Sequence, residues 1–289
     1  MTSLKKLISD INNSDAKLVL TIAGAGIQAA KWLLDIPGAS KTVLEIQIPY
    51  SDNSMSDVLG YMPEQFVSEQ TVLDMARRAF ERSLILRTQN ERVIGVACTA
   101  AITTDRDRHG DNHAYICLWT ADSRHVEHLT LEKGIRDRKS EDHLISQSII
   151  NHISMGILNR SDLNINFQNG DTSDKKIQEY TNEIQALLAG QIESFTKGSG
   201  NNCEPSARFT GVILPGSFNP LHEGHKSLLI KAQQLTGKIG AYEMSVKNVD
   251  KPDLEENLVE KRLCQFGKSD VVLVTNTALF SQKSVLFSG

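Results

Sequence analysis

The sequence has little cysteine, few aromatic residues and no long apolar run, and each shortage removes a class of protein. Its four cysteines, Cys98, Cys117, Cys203 and Cys264, are scattered, with no Cys-x-x-Cys pair and no histidines at zinc-ligand spacing. That argues against a disulfide framework or a zinc site and fits reduced thiols. No apolar stretch approaches the roughly 20 residues that cross a bilayer, and Met1-Thr2-Ser3-Leu4-Lys5-Lys6 lacks the apolar centre of a secretory leader. A cytoplasmic protein with no membrane partner is expected. Basic charge is not in excess either: the formal net charge is −4, which argues against a protein built to grip nucleic acid. What remains is ordinary for a folded chain, 40% hydrophobic and 23% charged over 289 residues, enough for two domains.

One stretch stands out. Phe209-Thr210-Gly211-Val212-Ile213-Leu214 reads as a short strand, Pro215-Gly216-Ser217-Phe218-Asn219-Pro220 as a turn, and Leu221-His222-Glu223-Gly224-His225 as the opening of a helix. Leu228, Leu229, Ala232 and Leu235 recur at a helical period and predict one buried face. A strand-to-helix turn aims backbone N–H groups and a positive dipole end at one spot, where a phosphate fits. Gly216 and Gly224 let the backbone approach a ligand closely. His222 and His225 are three apart, so both rings reach the same phosphate and can steady charge growing on it. Taken alone, a His-x-Gly-His tetrapeptide supports little more than a turn with two surface histidines; the ordered run of strand, turn, histidines and helix carries far more.

That run resembles the nucleotide-binding signature of the nucleotidylyltransferase superfamily, and most closely the nicotinate and nicotinamide mononucleotide adenylyltransferases. The resemblance implies adenylyl transfer from ATP, with Mg²⁺, to a mononucleotide such as nicotinamide or nicotinate mononucleotide, releasing pyrophosphate. It implies His222 and His225 as catalytic residues and Gly216, Ser217, Phe218, Asn219 and Gly224 as nucleotide-binding ones. Further strands are expected at 240–246 and 270–274 with a helix from Leu254 to Phe266 between them, the first half of a Rossmann-like parallel sheet. Lys251, beside Asn248 and Asp250, is a candidate phosphate partner or an ordinary surface lysine before a proline. Thr275-Asn276-Thr277 ends the last strand at the ligand edge. Complete members of the superfamily continue with a second signature, Ser-[Ser/Thr]-x-x-[Arg/Lys], and none follows His225. A shortened form, a fragment or a non-catalytic remnant would each fit, and the incomplete sheet would expose an edge unless another part of the chain or a second copy in a homo-oligomer covers it.

The N-terminal part alternates helices and strands: a helix over 3–13, strands at 18–22 and 42–48, a helix through Trp32, and a long helix after Ser68 carrying Val72, Met75, Ala76, Ala79 and Phe80. Strands at 92–99, 113–121 and 125–132 and a helix over 140–155 complete an α/β layer with a mixed sheet. The loop from Asp105 to Asn112 is expected as a hairpin tip. Pro37-Gly38-Ala39-Ser40, Pro49-Tyr50-Ser51, the long helix and Val96-Ala97-Cys98-Thr99-Ala100 follow the order of the CinA C-terminal domain, a family that includes nicotinamide mononucleotide deamidases. The resemblance covers about residues 4–157 and implies a three-layer α/β fold. It also exposes departures. The family's nucleophilic serine falls on Ala23 and its glutamate on Ile22, its lysine falls on Met55, and its glycine-rich loop is replaced by Ala100-Ala101-Ile102-Thr103-Thr104. Tyr50, Ser51 and Thr99 are retained. An alanine has no oxygen with which to attack an amide, so a vestigial pocket is expected; amidohydrolysis through Ser51 or Tyr50 would lack a placed general base. Gly24 and Gly26 fit a tight turn or a retained phosphate cradle equally, and Arg136 and Arg138 fit solvated charges at a helix start better than phosphate ligands.

The expected organisation is therefore α/β throughout: a CinA-like domain over 1–159, a connector over 160–207 with one docking helix from Lys175 to about Phe195, and a partial nucleotidylyltransferase-like domain over 208–289. Two functions follow. One is the adenylyltransferase; the other is a nucleotide-binding or regulatory protein of pyridine nucleotide metabolism that turns nothing over.

Overall fold

The computed structural model describes residues 4–88, 91–105, 109–180, 182–198, 203–205, 209–247, 253–278 and 283. Two compact units divide between Gln178 and Glu179. In the first, the elements run α1 (Leu4–Asn12), β1 (Lys17–Ala23), α2 (Ile27–Asp35), α3 (Ala39–Thr42), β2 (Val43–Gln47), α4 (Asp52–Leu59), α5 (Glu69–Leu86), β3 (Val93–Ala101), β4 (Asn112–Trp119), β5 (Ser123–Leu131), α6 (Arg138–Leu158) and β6 (Thr172–Glu179). The sheet order is β2-β1-β3-β4-β5-β6. β1 is parallel to β2 and β3, whereas β3, β4 and β5 run antiparallel in turn. This is the mixed α/β sheet expected, with β3 and β4 joined through the charged loop.

β1 and β3 are buried along almost their whole length, as strands covered by helices on both faces must be. On one face Leu7, Ile8 and Ile11 of α1, Leu33 of α2 and Ile145, Ile149 and Ile153 of α6 close over Leu20, Ile22, Val96 and Ile116. On the other lies α5, capped by Ser68, whose hydroxyl accepts from Thr71 N–H at 3.1 Å. Its Val72, Met75, Ala76, Ala79 and Phe80 are the buried stripe. The approach of α5 to β3 is close enough that a Cβ on Gly95 would sit 2.3 Å from Phe80 N and 2.5 Å from Ala76 O. Those atoms belong to backbone and cannot rotate away. Gly95→Ala is therefore expected to destabilise the protein by about 1–3 kcal/mol, read as a lowered midpoint in thermal or urea unfolding.

The second unit contains α7 (Glu183–Leu188), β7 (Ser194–Lys197), β8 (Cys203–Pro205), β9 (Val212–Pro215), α8 (Glu223–Thr236), β10 (Gly240–Ser245), α9 (Glu256–Leu263) and β11 (Val272–Thr275). Its sheet order is β8-β7-β11-β10-β9. β9, β10 and β11 are parallel, joined by α8 and α9, while β7 runs antiparallel to β11 and β8 antiparallel to β7.

The connector requires correction. The helix predicted from Lys175 to about Phe195 does not form: 172–179 is an edge strand of the first sheet, 183–188 a short helix capped by Asn182, and 194–197 a strand of the second sheet. Ile177, Tyr180, Ile184 and Leu187 imitate a helical period, but Ile177 lies on the exposed edge strand. Tertiary bonding overrides the periodicity there: Ser173 donates to buried Glu127 of β5 at 2.5 Å and Lys176 pairs with Glu69 at the start of α5 at 2.6 Å. The stretch expected as linker thus also supplies β7, which covers the outer edge of β11. The opposite edge, β9, has no neighbouring strand among the described residues. The predicted buried face of α8 is correspondingly thin, since Leu229 is buried while Leu228 and Leu235 are 58% and 75% exposed.

Candidate functional site

The chain leaves β9 at Pro215, makes a turn over 216–221 and enters α8 with His222 as the N-cap residue. The start of the turn is tied to the sheet, where Gly216 N–H donates to Glu243 O at 2.9 Å. Its centre is Phe218, at a φ of 45° and buried. Its ring lies edge-on to Tyr242, Phe266 and His225, with centroids 5.4, 5.4 and 5.1 Å away. Ser217 and Asn219 remain exposed on either side of this apolar anchor. The Phe218 ring thus fastens the turn from beneath, and the backbone contact expected of this residue is a separate matter from its ring.

The two histidines meet as the sequence predicts. Their rings stack with centroids 3.7 Å apart and planes 22° from parallel. His225 Nδ1 accepts from His222 N–H at 3.3 Å, an arrangement that leaves the His225 proton on Nε2 and makes that nitrogen a donor. Desolvation, and secondarily the neighbouring His222, hold the His225 imidazole below its ordinary value, so it stays neutral near pH 7. Beside them in the first turn of α8, Gly224 is exposed, while His225 N–H donates back to His222 O at 3.0 Å. A neutral N–H donor, a stacked second imidazole and a helix N-terminus together favour an anion that gains charge.

Four residues that motif reading passes over hold this arrangement. Arg262 Nη1 donates to Ser217 O at 3.2 Å. Gln265 accepts from Leu221 N–H at 2.8 Å and donates to Phe218 O at 3.0 Å. Tyr242 and Phe266 complete the Phe218 niche. They lie well beyond the motif along the chain, out of reach of any local pattern. At the C-terminal ends of the parallel strands, the same edge that the turn leaves, the buried Glu243 carboxylate accepts from Thr275 Oγ1 at 2.6 Å and Lys283 Nζ at 3.0 Å. Thr275 is thus engaged within the sheet, and Asn276 Nδ2 donates to Leu187 O. Lys251, Asn248 and Asp250 lie outside the described residues.

The first unit has a separate cleft of ≈ 420 Å³ at the C-terminal end of β1, lined in part by Ala23, Tyr50, Ser51, Met55, Thr99 and Arg138. The residues expected as a vestigial pocket do converge, and Ser51 and Thr99 each have a structural task. Ser51 caps α4, accepting from Ser54 N–H at 3.2 Å, and Thr99 Oγ1 donates to Phe66 O at 2.7 Å. Tyr50 is 79% exposed, and Met55 is buried where a lysine would have carried charge. No histidine or cysteine lines the cleft among the described residues, and the carboxylate that does line it is Asp52, next to Ser51 in the chain.

Geometry also decides the open readings nearby. Gly24 has a φ of +82°, and a Cβ there would lie 1.9 Å from Ala100 O, so the turn admits only glycine. The N–H groups of Gly26 and Ile27 both donate to Asp142 Oδ1, at 2.7 and 3.1 Å. A phosphate cradle at the start of α2 is therefore already filled by a carboxylate from α6. Arg136 is committed to Asp171 through both terminal nitrogens, whereas Arg138 reaches across the cleft mouth to Thr103 O at 3.0 Å and Gly24 O at 3.3 Å.

No protein-family model matches the chain. Two curated relatives are the phosphopantetheine adenylyltransferases of Mycoplasma capricolum subsp. capricolum and Mycoplasma mycoides subsp. mycoides, 36% and 34% identical over 70 residues. Each match takes in 22% of this chain and 49% of the relative; the chain spans about half the length of the curated relatives it matches. Among solved structures, the competence/damage inducible protein CihA from Agrobacterium tumefaciens matches 54% of this chain and 96% of its own, at 20% identity and a TM-score of 0.41. A CinA superfamily protein from Enterobacter cloacae matches 53% and 90%, at 13% identity and a TM-score of 0.42. The adenylyltransferase resemblance drawn from the sequence recurs in the curated relatives, and over the shared stretch the chain is nucleotidyltransferase-like. The relatives' named acceptor differs from the pyridine mononucleotides that the motif suggested. No helix among the described residues is long and apolar enough to cross a membrane.

Proposed function

We propose that the second unit binds MgATP at the 216–225 turn and transfers its adenylyl group to the phosphate of a nicotinamide or nicotinate mononucleotide. The observation that carries this reading is the stacked His222/His225 pair at the N-terminus of α8, with the His225 Nε2–H left as a donor. An acceptor phosphate oxygen attacks the α-phosphorus, the bond to the β-phosphate bridging oxygen breaks, and pyrophosphate leaves with that electron pair. The protein contributes position and charge complementarity, which are the main terms in such transfers. His225 Nε2–H, the His222 ring and the first N–H groups of α8 face the α-phosphate oxygens as their charge grows. Mg²⁺ enters as part of the substrate, bound largely by phosphate oxygens and water.

A second reading is favoured by the first unit. Ala23 stands where a nucleophile would, and Ser51 and Thr99 are engaged in capping and cross-bonding. In that reading the chain binds a nucleotide without turnover and acts in regulation. One experiment separates the two: the full chain with MgATP and each mononucleotide, with 4′-phosphopantetheine as a comparison acceptor, assayed for pyrophosphate. Release with a mononucleotide supports the enzyme, and calorimetric nucleotide affinity without release supports the binder. Release with phosphopantetheine alone would overturn the acceptor assignment, and neither heat nor release would overturn both readings.

A further inference from the structure

We propose that Gln265 positions the histidine turn, setting the rings of His222 and His225 through two hydrogen bonds linked by the Leu221–His222 peptide. The inference rests on the nucleotide reading for its purpose, although not for its geometry. Gln265 follows the C-cap of α9, Cys264, in a turn at the surface. Its side chain packs into no core, so apolar packing does not explain it. What it does is bridge the two ends of a four-residue segment. Its Oε1 accepts from Leu221 N–H at 2.8 Å and its Nε2 donates to Phe218 O at 3.0 Å. Leu221 directly precedes His222, and His222 N–H donates to His225 Nδ1. The series therefore runs from the Gln265 amide to Leu221, then His222, then the His225 ring.

The chemistry of the position is selective. An amide offers an acceptor and a donor on one planar group; a glutamate lacks the donor and a lysine the acceptor. Phe218 fixes the turn from beneath by its ring, which leaves the outer side of 218–221 to Gln265. Arg262 adds a second hold at Ser217 O. Its Nε–H is buried with no hydrogen-bond partner among the described residues. α9 thus bears on the site although none of its residues belongs to the motif.

The test uses the full chain labelled with ¹⁵N at histidine, with Gln265→Ala and Gln265→Glu. In the unaltered protein, long-range proton–nitrogen correlations should show His225 mainly in the Nε2–H form. Gln265→Ala is expected to mix the two tautomers, to raise the His225 midpoint toward an ordinary imidazole, and to weaken MgATP binding roughly tenfold, the scale of one lost hydrogen bond. Gln265→Glu keeps the acceptor and should fall between. Unchanged imidazole signals in Gln265→Ala would overturn the proposal, and so would a lowered melting temperature with those signals unmoved. If the unaltered chain binds no MgATP while the signals still move in Gln265→Ala, the positioning role holds and the nucleotide reading is what fails.

Discussion

Replacing His225 by alanine is expected to lower pyrophosphate release from MgATP by about 10²–10³-fold, the cost of removing one preorganised donor from a site where charge develops. His222→Ala should fall in the same range, because the two rings form one stacked unit. The double variant should lose little more than either single one, since residues that act together are non-additive. Helix α8 should survive both changes, as its Leu229 contact and C-terminal Gly237 cap are untouched; unaltered far-ultraviolet circular dichroism checks this. The pH dependence has a definite sign. Desolvation and His222 keep His225 neutral until the pH drops below the ordinary imidazole midpoint. Turnover should therefore be level around pH 7 and change only on further acidification, when both nitrogens become donors and Nδ1 can no longer accept from His222 N–H. In His222→Ala the His225 midpoint should rise, because part of the desolvation and the neighbouring imidazole are removed together.

The second large effect is on stability. Glu243→Ala is expected to cost the second unit about 3–5 kcal/mol, since it leaves the Lys283 ammonium buried without its carboxylate. It also strips Thr275 Oγ1 of its acceptor. Denaturant unfolding followed within the second unit reads this directly. Replacing both partners, Glu243→Leu with Lys283→Met, should recover most of the loss, because apolar side chains of similar volume often match a buried ion pair. Were the double replacement as unstable as Glu243→Ala, the pair would hold the strand ends in register rather than merely satisfy each other. Gly216 is insulated from either change, since it bonds the backbone oxygen of Glu243 and not its side chain.

Much of this protein is legible where short-range physics decides. The turn after β9, the histidines opening α8 and the Ser68 cap of α5 are local patterns, and each forms where the sequence places it. Ala23 is equally legible, because the lack of an oxygen needs no coordinates. The misreadings share one cause: the deciding partner lies far along the chain. Residues 172–179 carry a helical period yet form an edge strand, because Glu127 and Glu69 bond it from elsewhere. The turn at Gly24 and Gly26, which fits a tight turn or a phosphate cradle equally by sequence, is decided by Asp142, 116 positions beyond Gly26, which takes the N–H groups of Gly26 and Ile27. Leu228 and Leu235 have the spacing of a core face, but the sheet ends at β9 and nothing described covers them. Gln265 carries no pattern at all, and its role exists only because α9 brings it against the turn.

The most direct test of the central claim is pyrophosphate release by the full chain supplied with MgATP and nicotinamide or nicotinate mononucleotide, measured beside His222→Ala and His225→Ala. The account predicts release that falls by at least a hundredfold in each variant. Release that continues undiminished in both would contradict it, because the stacked histidines would then have no part in the chemistry.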